Sequence, residues 1–262
     1  MKGEMEMGVL KKFFSLVFLS LIFNFSAAAD NIRDCKSGDA KACMKAGFEF
    51  EKSNKISKAL DFYNLACQKG EKLGCFKCAE IYYKGNNISG NYAKAANYFE
   101  KACDLMLPQG CYIAGVLYED DSKKIHNIQK SIELYKKACK ASLAPGCGRL
   151  GNIYFKGFGV SKNIQLAKRY FQKGCKGGDL NSCLMLGNLY LGKSGVAKNI
   201  SKALKYFDYA CSRGEGVACM QLGSMYLKGQ EIPANLEKAK KYFKKSCNTG
   251  FALGCEALKT LE

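Results

Sequence analysis

Apolar and small residues recur along this chain with helical periodicity, and the periodic blocks themselves repeat. In the run Ala203-Leu204-Lys205-Tyr206-Phe207-Asp208-Tyr209-Ala210-Cys211, the residues Ala203, Tyr206 or Phe207, and Ala210 give the i, i+3/i+4, i+7 stripe of a helix with one buried face. Ala167 to Cys175 and Ala239 to Cys247 repeat it. A second kind of block starts on a cysteine. Four positions after it come Gly47, Ala79, Gly115, Gly151, Gly187 and Gly223, and seven positions after it Phe50, Tyr82, Tyr118, Tyr154, Tyr190 and Tyr226. Spacings of four and seven place cysteine, small residue and aromatic on one helical face. The small residue lets a neighbouring backbone approach, and the aromatic is expected to fill the space beyond as packing.

Turn chemistry separates the blocks. The first helix of each pair is expected to end near Gly85, Gly157, Gly192 or Gly229, and the second to start at Asn127, Asn163, Asn199 or Asn235. Asn caps a helix because its side-chain oxygen accepts a backbone N–H of the first turn. Gly38, Gly70, Gly178, Gly214 and Gly250 stop the second helix, where a left-handed residue is needed. Asp39, Glu71, Asp179 and Glu215 follow, where negative charge favours a new helix N-terminus. Met106 and Ser142 replace the glycine in two repeats and are followed by Pro108 and Pro145, which suit a first helical turn. This reads as an exchange of turn chemistry. The last block, Phe251 to Leu261, reads as a lone capping helix.

Fourteen of the 15 cysteines obey one ruler. They form the C-x7-C pairs Cys35/Cys43, Cys67/Cys75, Cys103/Cys111, Cys139/Cys147, Cys175/Cys183, Cys211/Cys219 and Cys247/Cys255, and from Cys67 onward the pairs recur every 36 residues. Each pair spans a helix end, a tight turn and the next helix start, close enough for a bridge with Cα atoms about 5.5 Å apart. A rival pairing joins the second cysteine of one pair to the first of the next. It would leave Cys35, Cys255 and Cys78 unpaired, and it would span unequal lengths because Glu51-Lys52-Ser53-Asn54 shortens the first repeat. The local spacing holds even there, which favours local bridges, but sequence alone does not fix connectivity.

Residues 1–29 read as a signal peptide. Lys11-Lys12 precede an apolar run from Phe13 to Phe25, and Ser26-Ala27-Ala28-Ala29 places small residues before a cut at Asp30. The run is shorter than a membrane span needs. An exported, cysteine-dense chain reads as a disulfide framework in the periplasm or outside the cell. The repeat domain is then 30–262, about six helix pairs plus the capping helix, with no membrane span and a monomer expected. The net charge is +18, carried mainly by lysine, with Arg33, Arg149, Arg169 and Arg213 the only arginines. Base and phosphate recognition leans on arginine's planar fork, so nucleic acid is not the expected partner. The excess serves solubility, or attraction to anionic cell surfaces or acidic partners.

The blocks Cys183-Leu184-Met185-Leu186-Gly187-Asn188-Leu189-Tyr190-Leu191-Gly192 and Lys202-Ala203-Leu204-Lys205-Tyr206-Phe207 resemble the Sel1-like repeat, a relative of the tetratricopeptide repeat. With the C-x7-C pairs and the leader, the chain is similar to the Helicobacter cysteine-rich proteins. That resemblance implies an all-α, right-handed α/α solenoid of helix pairs with one disulfide per repeat. It also implies penicillin or peptidoglycan-like ligands and slow hydrolysis of β-lactam amides. Sel1-like proteins elsewhere imply the alternative, a non-catalytic scaffold holding a protein or peptide in its concave groove, at the bacterial envelope or on host partners.

The residues supply no catalytic machinery that can be named. A serine β-lactamase needs S-x-x-K, S-D-N and K-T-G elements, and none occurs. Ser57-Lys58 and Ser201-Lys202 are adjacent pairs that diverge on a helix. His126 is the only histidine and falls in an inter-helix turn, which rules against a zinc site, and no cofactor is expected. Cys78, the odd cysteine, aligns with Leu150, Leu186 and Leu222 and reads as a buried free thiol. Asp120-Asp121, Phe158 and Val160 vary between repeats and are the surface candidates for specificity.

Overall fold

The computed structural model describes residues 29–85, 90–192 and 194–261, so the expected leader lies outside the described residues except for Ala29. Every regular element among the described residues is a helix. The chain divides into two compact units at His126/Asn127. Unit 1 holds α1 (residues 29–37), α2 (Ala40–Lys52), α3 (Ile56–Gln68), α4 (Lys72–Lys84), α5 (Tyr92–Asp104) and α6 (Pro108–Glu119). Unit 2 holds α7 (Ile128–Lys140), α8 (Ala144–Lys156), α9 (Ile164–Lys176), α10 (Leu180–Tyr190), α11 (Ile200–Cys211), α12 (Gly216–Lys228), α13 (Leu236–Asn248) and α14 (Ala252–Lys259). Within each unit, consecutive helices pack as hairpins in the manner of an α/α solenoid.

Within each unit the even-numbered helices form one layer, here A, and the odd-numbered helices the other, B. The B helices from α5 onward start where Asn places its side-chain oxygen on the first turn. Asn127 accepts from Lys130 N–H, Asn163 from Leu166, Asn199 from Lys202 and Asn235 from Lys238. Asn91 does the same for Lys94 at the head of α5, a cap the sequence pattern did not single out. Asp39, Glu71, Asp179 and Glu215 cap the A helices in the same way.

The corner conformation is the same in every repeat, whatever residue sits there. Gly70, Gly178, Gly214 and Gly250 have φ of 84°, 94°, 98° and 83°. Met106 and Ser142, where an exchange of turn type was expected, adopt φ of 62° and 64° instead. The prolines start the next helix but do not relieve the corner, because the hydrogen bonds from Leu107 N–H to the Ala102 carbonyl and from Leu143 N–H to the Ala138 carbonyl still require a left-handed residue. A side chain in that region costs about 1–2 kcal/mol. Met106→Gly and Ser142→Gly should therefore each stabilise the protein by up to about 1 kcal/mol, the gain being reduced by glycine's greater unfolded-state entropy. Urea unfolding of the two variants checks this, and a loss of stability would refute it.

The core sits between the layers. Tyr63, Phe99, Tyr135, Phe171, Phe207 and Phe243 occupy one position of successive B helices, and all are buried. In four repeats the ring lies against a glycine of the A helix. A Cβ on Gly47 would sit 2.6 Å from Tyr63, on Gly151 2.5 Å from Phe171, on Gly187 2.4 Å from Phe207 and on Gly223 2.5 Å from Phe243. The small residue thus admits an aromatic ring rather than a neighbouring backbone.

The A-helix tyrosines pack as expected, at the rim of the core rather than at its centre. They stack on the B-helix tyrosine one residue before the buried ring. Tyr82 pairs with Tyr98, Tyr154 with Tyr170, Tyr190 with Tyr206 and Tyr226 with Tyr242, with ring centroids 5.6–5.8 Å apart. These pairs seal the edge of the core while most of their members stay half-buried.

Candidate functional site

Seven disulfides close the corners: Cys35–Cys43, Cys67–Cys75, Cys103–Cys111, Cys139–Cys147, Cys175–Cys183, Cys211–Cys219 and Cys247–Cys255. Their Cα atoms are 4.5–4.7 Å apart, nearer than the spacing alone suggested. Each joins the end of a B helix to the start of the next A helix. With the corners covalently closed, these cysteines hold no free nucleophile.

Cys78 is the free cysteine and is fully buried. Its S–H points at the Leu60 carbonyl, 3.9 Å away. Burial pushes the thiol up to about 12, against the opposing influence of Lys101. A thiol in that state is a weak nucleophile. Iodoacetamide at about pH 8 should leave Cys78 unmodified in the native protein and label one site per chain after unfolding without reductant. Labelling of the native protein within minutes would contradict this.

Near Cys78, unit 1 brings Glu51, Tyr63, Lys77 and Glu80 together. The Tyr63 hydroxyl donates to Glu51 Oε2 at 2.5 Å, and Lys77 pairs with Glu51 at 3.2 Å and Glu80 at 3.6 Å. Burial and then the Glu51 carboxylate hold the Tyr63 hydroxyl protonated well above its ordinary range. Such a tyrosine cannot serve as a base or an attacking oxyanion near neutral pH.

The remaining sequence candidates are structural. Lys58 lies over the Phe50 ring at 5.7 Å and Lys202 over Tyr190 at 5.4 Å, so neither is aimed at its neighbouring serine. His126 is exposed, and its backbone N–H donates to the Lys123 carbonyl. Asp120 accepts from both the hydroxyl and the N–H of Ser122, which holds its carboxyl below the usual range. Lys123, beside Asp120, lies over Tyr92 at 4.2 Å. This is a self-satisfied turn, and Asp121 beside it is exposed. Phe158 is exposed and Val160 half-buried. Their loop is tied to α7 by Gln129, which donates to the Gly159 carbonyl at 2.7 Å.

A cleft of about 310 Å³ lies beside α2, lined by Ile32, Ala46, Glu49, Phe50, Ser53 and Lys55 among others. It brings a serine and a lysine together. The Ser53 hydroxyl, however, donates to the Glu49 backbone carbonyl at 2.9 Å, an ordinary helix-end contact. Among the described residues no group of three His, Cys, Asp or Glu could hold a metal ion.

What unit 2 does present is a strip of half-buried polar side chains on the A layer. Asn152 of α8, Asn188 of α10 and Ser224 of α12 are 36 residues apart and share one register position. Met185 and Gln221 flank them, also half-buried. The Asn152 and Asn188 amides make no hydrogen bond within the described residues. Each can donate and accept at once. The strip's 36-residue spacing could have revealed it in the sequence.

Helix hairpins repeated at a fixed period within each unit define the α/α solenoid class of helical repeat proteins. The chain belongs to the Sel1 repeat family, whose model matches residues 40–71, 72–105, 108–143, 144–179, 180–215 and 216–251. In this frame the matches that lie within one unit are A–B hairpins, and each disulfide joins the end of a B helix to the A helix that follows it.

Among solved structures, a protective antigen of uropathogenic Escherichia coli strains displaying an SLR fold is 22% identical, with a TM-score of 0.77, covering 88% of this chain. This chain spans only 50% of that protein. A Sel1 repeat protein from Oxalobacter formigenes is 23% identical with a TM-score of 0.70, covering 82% of this chain and 86% of its own. Helicobacter pylori cysteine rich protein B is 34% identical over 52% of this chain and 97% of its own, with a TM-score of 0.42. No curated protein matches the chain.

Proposed function

We propose that this protein is an extracytoplasmic, non-catalytic scaffold that holds an extended peptide segment of a partner protein against the A layer of unit 2. The observation that carries this reading is the pair of half-buried amides, Asn152 and Asn188, which make no hydrogen bond to another described residue. Half-buried amides that bond to nothing else among the described residues can exchange their water for the groups of a ligand. A peptide backbone offers the matching N–H and C=O. Neighbouring helices lie about 8–10 Å apart, close to three residues of an extended chain at about 3.1–3.4 Å each. Contacts to every third peptide residue would follow. Met185 adds an adaptable apolar contact between them.

The seven disulfides support an oxidising compartment, and with it export by the expected leader. Slow hydrolysis of β-lactams, implied by the resemblance, finds no support in the residues. The thiol and the buried tyrosine are held protonated, and the Ser53 hydroxyl is engaged by the Glu49 carbonyl.

A displayed peptide library selected on the purified protein tests the scaffold reading. Selected peptides should bind Asn152→Ala/Asn188→Ala at least about tenfold more weakly, since two charge-neutral hydrogen-bonded contacts are lost. Failure to select any peptide, or peptides indifferent to the double variant, would refute the groove. Turnover of a chromogenic cephalosporin at constant specific activity through purification would establish the hydrolase instead.

A further inference from the structure

The charge of this chain is not spread evenly. Residues 127–262 contain twenty-three Lys and Arg against eight Asp and Glu, whereas residues 30–126 contain fifteen against thirteen. Within unit 2 the excess concentrates on one layer. The B helices α7, α9, α11 and α13 hold fifteen basic residues and three acidic ones. The A helices α8, α10, α12 and α14 hold four and one, and α10 carries no charged side chain at all. In unit 1 the equivalent helices α3 and α5 are balanced, three basic against three acidic.

These charges sit on the outward side of the B helices. Each helix turns its alanine–aromatic–small stripe inward, as in Ala167, Phe171 and Gly174 of α9, all buried. The opposite positions, Lys136 and Lys140 of α7, Arg169 and Lys176 of α9, and Lys241 and Lys244 of α13, are exposed. Successive B helices are neighbours, since the Tyr242 hydroxyl of α13 donates to Asp208 of α11 at 3.0 Å. Four helices about 20 Å long at about 8–10 Å spacing make a face of roughly 700 Å². Its net charge is then on the order of one per 60 Å².

We propose that this face adsorbs the protein reversibly onto an anionic phospholipid surface, independently of the peptide groove on the other layer. A distributed array of lysine point charges suits a plane of phosphate headgroups, each charge near the surface adding to the attraction. Nucleic acid is a poorer fit. Single strands are held by stacking bases on open aromatic faces, and the tyrosines of this layer already stack on Tyr154, Tyr190 and Tyr226. Lys202 and Lys238 cover two of those pairs from above. The basic residues of the face are lysines except Arg169, so the bidentate fork that grips individual phosphates is nearly absent.

The test is co-sedimentation of the full chain with phosphatidylcholine vesicles containing about one third phosphatidylglycerol. Binding is expected at about 0.05 M salt and release at about 0.5 M, where charges are screened beyond a few ångströms. Pure phosphatidylcholine vesicles should not bind. Lys140→Glu/Lys176→Glu/Lys244→Glu should lower partitioning at least about tenfold. Lys156→Glu/Lys228→Glu/Lys259→Glu changes net charge equally but on the A layer, and should lower it by less than about threefold. Helical melting curves confirm that both triple variants fold, and either one that does not is replaced by the corresponding glutamines. Equal losses in both variants, or equal binding to neutral vesicles, would overturn the proposal. A DNA duplex that displaces the vesicles at equal phosphate concentration would overturn it too, and would assign the face to nucleic acid.

Discussion

Reduction of the disulfides should abolish cooperative folding of this protein near 25 °C. Each corner closes a loop of about nine residues, and the chain-entropy model assigns about 2.5 kcal/mol to such a loop. Seven such contributions exceed the about 5–15 kcal/mol of net stability that a folded domain typically retains. The position of the bridges sharpens this expectation. They do not lock the A–B hairpin that forms a Sel1 repeat; they join Cys67 at the end of one repeat to Cys75 at the start of the next, and so on along the array. Stability of a repeat array depends on the interfaces between neighbours, and those interfaces are the ones stapled.

Thermal melts followed by circular dichroism, with and without reductant, check the point. The oxidised protein should melt cooperatively, and the reduced one should lose most helical signal before heating. A reduced protein that melts cooperatively within about 10 °C of the oxidised one would show that packing alone suffices. Removing a single bridge, as in Cys211→Ala/Cys219→Ala, should cost about 2–4 kcal/mol. Partial reduction should open Cys247–Cys255 first, because both of its cysteines are half-buried, whereas Cys211 and Cys219 are buried.

Gly187→Val should destabilise the protein by about 3 kcal/mol, although glycine is the poorer helix former. The added Cβ would lie 2.4 and 2.5 Å from Phe207, whose ring is fully buried and has nowhere to move. Overpacking of this kind costs about 1–3 kcal/mol, occasionally more, and a β-branched side chain adds rotamer restriction. The helix-propensity gain of under about 1 kcal/mol does not offset it. Phe207→Ala should cost about 3–5 kcal/mol by opening a cavity. The double variant should cost less than the sum, because the valine fills part of the space the ring leaves. Urea denaturation of the three variants under oxidising conditions gives the coupling. Strict additivity would mean that Gly187 and Phe207 do not share one space. The repeat with Ala79 at this position already departs, its ring Phe99 lying edge-on to Phe76 at 72°.

Much of this architecture was legible because it repeats. A 36-residue period, Asn at the head of one helix and an acid at the head of the next leave little freedom about where helices begin. The misreadings come from places where neighbours decide. The sequence offered Tyr206 or Phe207 as the buried residue. Both lie within a helical turn of the apolar stripe, and only the approach of Gly187 selects Phe207. Met106 and Ser142 looked like substitutes for a left-handed turn, yet the two hydrogen bonds that close the corner impose that turn on them regardless of residue type. Asn152 and Asn188 share a spacing, but that spacing does not reveal that no other described residue bonds to their amides.

By itself, then, the sequence determined the class of fold and most of the helix starts and corners, since caps, glycines and a cysteine ruler act locally and need no distant partner. Tertiary structure alone decided which aromatic is core, which corner is strained and which polar groups remain open to a ligand. Each of those depends on what the facing helix brings within a few ångströms, and that distance is set by packing between segments, not by the order of residues within one.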